Sequence, residues 1–486
     1  MSSLYEWIKE HIVDGSLPKQ DSSLPPEEEV EEGKLKFADG AKDGICMYHM
    51  ARSSYDINAF YEIPFLIEEG KNEEAEKKLS EFSKQNSALS VIDGVQEYII
   101  EHRENLDPSK QFNFAYHLIK HSNERELVKY GLCILELFSY RDESYDEILR
   151  ILALSDEFSL FVAFLMREWE NAEEELLEAA KQVKGWGRIF IIEQLEATKP
   201  ETKYWLLTEG IHNTVLSQYS ALTCFEKTEM FTWLNKNMTK EEFHGAGEIL
   251  ESLIQEGPCA GISAIEEADE LILRFLNQAE NQNLDVSDYE IIFNISDYTK
   301  LSSSLKEKCR SFLETKECTD CVNKAVTEGK GFLLAKKLGL PYKEAVFHSL
   351  EDNFEKNYFN ISFLMPDGDY IEECIALFER RLPLDMMKTG PEKLHWGGEK
   401  YNDHTILSMI VQFLKPYQGK GIKLIETALQ SPIINTRLTA LSVLEEWQEN
   451  KNEILKDNYP QIVEILKRAV KLEPDDNVKK KMEKLL

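Results

Sequence analysis

The sequence predicts an all-α protein of stacked helix pairs, a HEAT-like α-solenoid, with a small irregular element near its N-terminus. Three observations carry that prediction. From about Tyr61 onward amphipathic segments follow one another with short polar breaks, and no series of alternating strands replaces them for long. Ile434, Leu438, Leu441 and Leu444 fall at offsets of zero, four, seven and ten, on one helical face, and the same offsets recur in Val128, Leu132, Leu135 and Phe138 and in Val215, Tyr219, Leu222 and Phe225. These stripes start 87 and 219 residues apart, close to two and five times a unit of about 44, inside the range of roughly 40 to 47 for HEAT or armadillo repeats. An irregular helical bundle in two domains is the competing arrangement.

Size and composition agree with either plan. At 486 residues the chain exceeds what one core normally supports, and a hydrophobic fraction of 42% excludes global disorder. The 88 acidic residues against 56 basic ones give a net charge of -32, which repels nucleic acid and anionic membranes and leaves a basic protein as a partner. The C-terminal Lys467, Arg468, Lys471 and Lys479 to Lys481 are interrupted by acids and read as a solvated helix face. No secretory leader or membrane-spanning run is expected, and eight scattered cysteines fit reduced thiols in a cytoplasmic protein.

Taken in order, residues 1–34 hold a short amphipathic helix over Tyr5 to Val13, ended by Asp14-Gly15, and an acidic linker with Pro18, Pro25, Pro26 and the run Glu27 to Glu32. Residues 35–70 form a small turn-rich, non-helical element, because FADGAKDGICMYHM carries two turn signals, Asp39-Gly40 and Asp43-Gly44. Residues 71–384 are the helical array, broken at Asp107-Pro108, Lys199-Pro200, Gly257-Pro258, Leu340-Pro341 and Leu382-Pro383. Residues 385–404 are a glycine- and aromatic-rich loop, either functional or an ordinary surface insertion. Residues 405–486 close the chain with HEAT-like helices, the clearest being the Ser-Pro-opened stretch Ser431 to Trp447.

Chemistry-bearing patterns are fragmentary. His117 and His121 stand four apart, on one face of a helix and within reach of a common metal, but Leu118 replaces the glutamate of a zinc protease. Cys318 and Cys321 have the spacing of half a zinc site or a redox pair, and equally of packed thiols on a helical turn. Gly185-Trp-Gly187, Gly329-Lys-Gly331 and Gly419-Lys-Gly421 begin a dinucleotide fingerprint without its third glycine or a preceding strand. Pro258-Cys259-Ala260-Gly261 departs from the cytochrome P450 haem loop at Ser252 and Gln255. The 385–404 loop gathers His395, Trp396, Asp403 and His404, which with His117 and His121 are the candidate site residues.

The N-terminal run YEWIKEHIVDGSLP, the acidic link, and KFADGAKDGICMYHM together resemble a group of bacterial proteins that carry the name limonene hydroxylase, over the length of the chain. The resemblance implies an oxidoreductase that inserts oxygen at allylic carbons of limonene, giving carveol or perillyl alcohol, with NAD-linked oxidation to carvone or perillyl aldehyde. It therefore implies NAD(P) and a redox centre, for which no intact binding motif is present, and it carries no catalytic residue onto this sequence. The residues by themselves point to a second class, a non-catalytic acidic scaffold that binds a protein partner.

Overall fold

The computed structural model describes residues 2–17, 24–25, 37–50, 56–395, 398–451 and 458–486. Among them every regular element is a helix, and the only β contacts are the isolated bridges Val13–Ser16 and Leu394–Ile433. The protein is all-α and built of stacked helices. At two of the five predicted breaks a proline opens a helix: Pro108 and Pro200 each occupy the first turn, where the missing amide would have no partner, and Asp107 caps the Ser109 amide.

Two compact units divide the described residues. The first holds the N-terminal residues, Phe37–Leu284 and Ile291–Ser311; the second holds Asp285–Glu290 and Phe312–Leu486. The boundary falls inside the stretch that the sequence presents as one array, 71–384. In the first unit, neighbouring helices pair, for example Pro108–His121 with Arg125–Leu135 and Ala172–Gln182 with Trp186–Gln194. Hydrogen bonds recur there at sequence separations near one repeat: Ser80 to Glu124 (44 residues), Gln96 to the Cys133 carbonyl (37), Gln278 to the Leu234 carbonyl (44) and Asn294 to Glu251 (43). Such regular spacing is compatible with helix pairs of about 40 residues stacking in sequence.

The N-terminal helix runs Leu4–His11, capped by Ser3, and buries Leu4, Tyr5 and Ile8 against the Pro108–His121 and Glu143–Leu152 helices. The FADGAKDGICMYHM block departs from expectation. Only Asp39-Gly40 turns the chain; Asp43-Gly44 lies inside a helix, Ala41–His49, because both residues are used for packing.

The three stripes also fare differently. Ile434, Leu441 and Leu444 are buried, joined by Ala440, Val443 and Trp447. Arg125–Leu135 is buried all round from Leu127 to Leu135, so its stripe is part of a helix with no wet face, and Phe138 lies beyond its end. In Gln218–Thr228 the packed face is Tyr219, Ala221, Cys224 and Thr228, while Leu222 and Phe225 are half-buried. Val215 precedes that helix, because the Asn213 side chain accepts its amide and Thr214 donates to the Lys184 carbonyl, holding the backbone in a loop.

The second unit packs Asn402–Gln412, Ile422–Leu429, Ile434–Lys451, Pro460–Leu472 and Asp476–Lys484 around one another. At its centre Arg437 is fully buried. Its guanidinium binds both carboxylate oxygens of Glu473 at 2.8 Å and the carbonyls of Ser431, Pro432 and Glu392 at 2.7 to 2.9 Å, so its planar fork of donors is used in full.

Candidate functional site

The densest concentration of buried charge in the first unit is where residues 37–50 meet the helices. Helix Arg125–Leu135 contributes Arg125 and Lys129, and Lys129 is only 1% exposed although the surrounding run, LVKYGLCIL, is otherwise apolar. Its ammonium reaches Asp43 at 2.7 Å, Glu157 at 2.7 Å and Glu126 at 3.2 Å. Arg125 pairs with Asp39 at 2.7 Å and Glu157 at 3.4 Å, and also donates to the carbonyls of Leu24 and Pro25. Asp39 in turn accepts the Leu24 amide at 2.7 Å, and Glu157 accepts the Gly40 amide at 2.8 Å. Two aspartates of one short segment are thus gripped by two cations of one helix.

The glycines that follow them set the distance of approach. Gly40 has φ +74°, and a Cβ there would lie 2.4 Å from the Asp156 carbonyl oxygen. A Cβ at Gly44 would lie 2.3 Å from the Trp186 ring, so the helix can touch the indole only without a side chain. Beyond Trp186 the contact turns aromatic and polar. Tyr48 packs against Trp186 and Tyr219, which also touch each other, its hydroxyl donating to Glu193, and His49 Nε2 meets the Tyr219 hydroxyl at 2.7 Å.

Two cations face five carboxylates here, and the imbalance shows in their titration. Burial pushes Asp43 up to about 6, with Lys129 pulling the other way, because that lysine is shared with Glu126 and Glu157. Asp156, half-buried beside Asp39, is likewise pushed up to about 6, first by desolvation, against the pull of the Gly187 and Gly185 amides. Burial also raises Asp39, against Arg125. For Glu157 burial opposes the charge, but Lys129, the Gly40 amide and Arg125 outweigh it and hold the carboxyl below its ordinary value. Lys129 stays charged because three carboxylates overcome its desolvation.

The six candidate residues do not form one site. His117 and His121 are together, ring centroids 4.9 Å apart, both exposed, with Glu76 3.8 Å from His117; burial and the neighbouring His117 lower the pKa of His121. His395 is exposed, and its carbonyl accepts from Asn435. His404 lies within the Asn402–Gln412 helix, 6% exposed, with Nδ1 2.9 Å from the Ser431 hydroxyl, and burial lowers its pKa. Asp403 sits beside it in the first helical turn. Trp396 is outside the described residues. The backbone of the 385–404 loop is tied to the chain that follows, Gly390 to Gln430 and Ile434 to Leu394.

Among the described residues, none of the fragmentary motifs is completed into a site for the redox centre or the nucleotide that the resemblance implies. Among the described residues no three His, Cys, Asp or Glu side chains are grouped to hold a metal ion. Cys259 donates its thiol to the Gln218 carbonyl at 3.0 Å, Cys318 is fully buried, and burial raises both thiols above their ordinary value. At Gly185-Trp-Gly187, where a pyrophosphate would meet the helix N-terminus, the Asp156 carboxylate already accepts the Gly187 amide at 2.8 Å. No helix among the described residues is long and apolar enough to cross a membrane.

The roles of Asp39, Asp43, Arg125, Lys129, Asp156 and Glu157 escape a reading of the sequence, because Asp-Gly reads as a turn. The available signal was Lys129, a lone cation inside an apolar helix. No family model, curated protein or solved structure matches the chain.

Proposed function

We propose that the protein is an acidic helical scaffold for protein–protein interaction, and that its binding seat is the one held in cis by residues 37–50. The observation that carries this reading is the pairing of Asp39 and Asp43 with the buried Arg125 and Lys129. Buried ion pairs add little stability over apolar packing of the same volume, and in some proteins they fix register or partner, the role we assign to these two. The helices that form the seat, Arg125–Leu135, Ser159–Met166 and Trp186–Gln194, pack directly on one another, so the seat does not need the segment to exist. A partner carrying two aspartates one helical turn apart, each followed by glycine, meets the same groups. The test uses full-length D39N/D43N, which weakens the cis contact, and a fluorescent peptide of residues 37–50. Peptide uptake by the variant and not by the parent supports the reading; a folded variant that ignores the peptide sinks it.

A second reading follows the resemblance to limonene hydroxylases: oxidation of limonene or a related monoterpene to carveol and perillyl alcohol, with NAD-linked oxidation beyond. What favours it is an open cavity of about 390 Å³ in the first unit, walled by Leu222, Phe225, Met230, Phe231 and Ile265, a size that admits a ten-carbon terpene. Carveol formed from limonene by purified protein supplied with NAD(P)H and oxygen would support this reading, and absence of product together with absence of limonene binding would refute it.

A further inference from the structure

We infer that this same cavity is a binding site for a small hydrophobic ammonium ion, a ligand different from either one considered above. Its floor is apolar and aromatic. Phe225 and Phe231 meet edge to face with centroids 5.8 Å apart, and Leu222 lies beside them, all half-buried.

The rim is acidic. Glu226 comes from the Gln218–Thr228 helix, Glu229 from the turn after it, and Glu266 and Glu267 from the turn before Ala268–Ala279. Among the described residues no basic side chain lines the cavity. Lys203 neutralises Glu229 from outside at 2.8 Å, whereas Glu226, Glu266 and Glu267 have no ion pair among the described residues. Carboxylates drawn from separate elements thus converge on one concave hydrophobic floor.

A neutral hydrocarbon would use the floor and gain nothing from the rim, and an anion would be repelled. An alkylammonium uses both, because phenyl faces attract cations and carboxylates neutralise them. Phe231 already shows this affinity: the Arg274 guanidinium sits 5.1 Å from its centroid, steered there by Glu270 at 2.6 Å and Asn235 at 3.0 Å.

The experiment is calorimetric titration of the full chain with benzyltrimethylammonium, and with limonene as a neutral probe of similar size. Three proteins are compared: the parent, E226Q/E266Q/E267Q, and a control with the same charge change at exposed positions of Asn72–Ser83, E73Q/E74Q/E81Q. Saturable binding of the ammonium is expected, weaker by about tenfold or more in the cavity variant, unchanged in the control, and weaker by a similar factor for limonene. Absence of saturable binding to the parent overturns the inference. So does equal affinity in the cavity variant, an equal loss in the control, or limonene binding as tightly as the ammonium.

Discussion

Asp43→Asn isolates one proton in the ionic seat, and its effect can be worked from the structure. Asp43 is raised from 3.8 to about 6, chiefly by burial. A carboxyl raised in the folded state binds its proton more tightly there than in the unfolded chain. Its contribution to stability is therefore full below the unfolded value and is lost as pH rises through about 6. Between pH 5 and pH 8 that loss is on the order of 1 kcal/mol, and Asp156, likewise raised to about 6, adds a similar amount. The amide that replaces the carboxyl in the variant keeps an oxygen for Lys129 but cannot titrate. Urea unfolding followed by tryptophan fluorescence at pH 5, 6, 7 and 8 compares parent and variant. Groups outside the seat drop out of the difference between them, so the parent should lose on the order of 1 kcal/mol more than Asp43→Asn across that range. Equal pH dependence in the two proteins, or a larger loss in the variant, would refute the account of the seat.

Three further outcomes are expected. Glu473→Gln strands the buried Arg437 charge and should destabilise the second unit by about 3 kcal/mol or more in urea, whereas R437M/E473L, which removes both charges, should be much closer to the parent. Gly44→Ala should raise local helix propensity by about 1 kcal/mol, yet it places a methyl 2.3 Å from Trp186; undocking of Ala41–His49, seen as faster amide exchange there, is the expected net result. His212 is raised to about 9, first by its hydrogen bond to Glu248 and then by Glu209, so its stabilisation is complete below about pH 6.5 and lost as pH rises through 9. In His212→Gln, thermal stability should fall less steeply than in the parent between pH 7 and pH 9.

The helical class was legible because it rests on periodicity, and periodicity survives without knowledge of partners. Pro108 and Pro200 marked breaks, and both open helices for a local reason, the absent amide. Which face of a helix packs was less legible: Leu222 and Phe225 matched the buried pattern and instead wall an open cavity, while Ser220 and Thr228 are buried on the packed side. The difference lies in neighbours that one helix's sequence does not contain. His404 illustrates the same limit. It was grouped with His395 and Asp403 by nearness in sequence, yet its ring is fixed by Ser431, twenty-seven residues away. Asp43-Gly44 had the composition of a turn and became mid-helix, because Lys129 and Trp186, distant in sequence, use the carboxylate and the missing side chain.

The placement of cations ties these details to the acidic surface. In a chain with 56 basic residues against 88 acidic ones, several of the scarce cations are turned inward. Arg125, Lys129 and Arg437 bury carboxylates with them, so those pairs leave the surface charge nearly as it was. Arg188 does not. It is 5% exposed and donates to backbone carbonyls alone, including Ala180 and Val183 at the end of the Ala172–Gln182 helix and His212 across the loop, and its burial lowers its pKa. Carbonyls at a helix end carry partial negative charge and accept such a cation without an acid. A positive charge is thereby withdrawn from the surface with no negative charge to match, and the exterior becomes more acidic than composition alone implies. Glu226, Glu266 and Glu267 stand exposed at the cavity within that acidic exterior, which is why the ligand expected there is a cation.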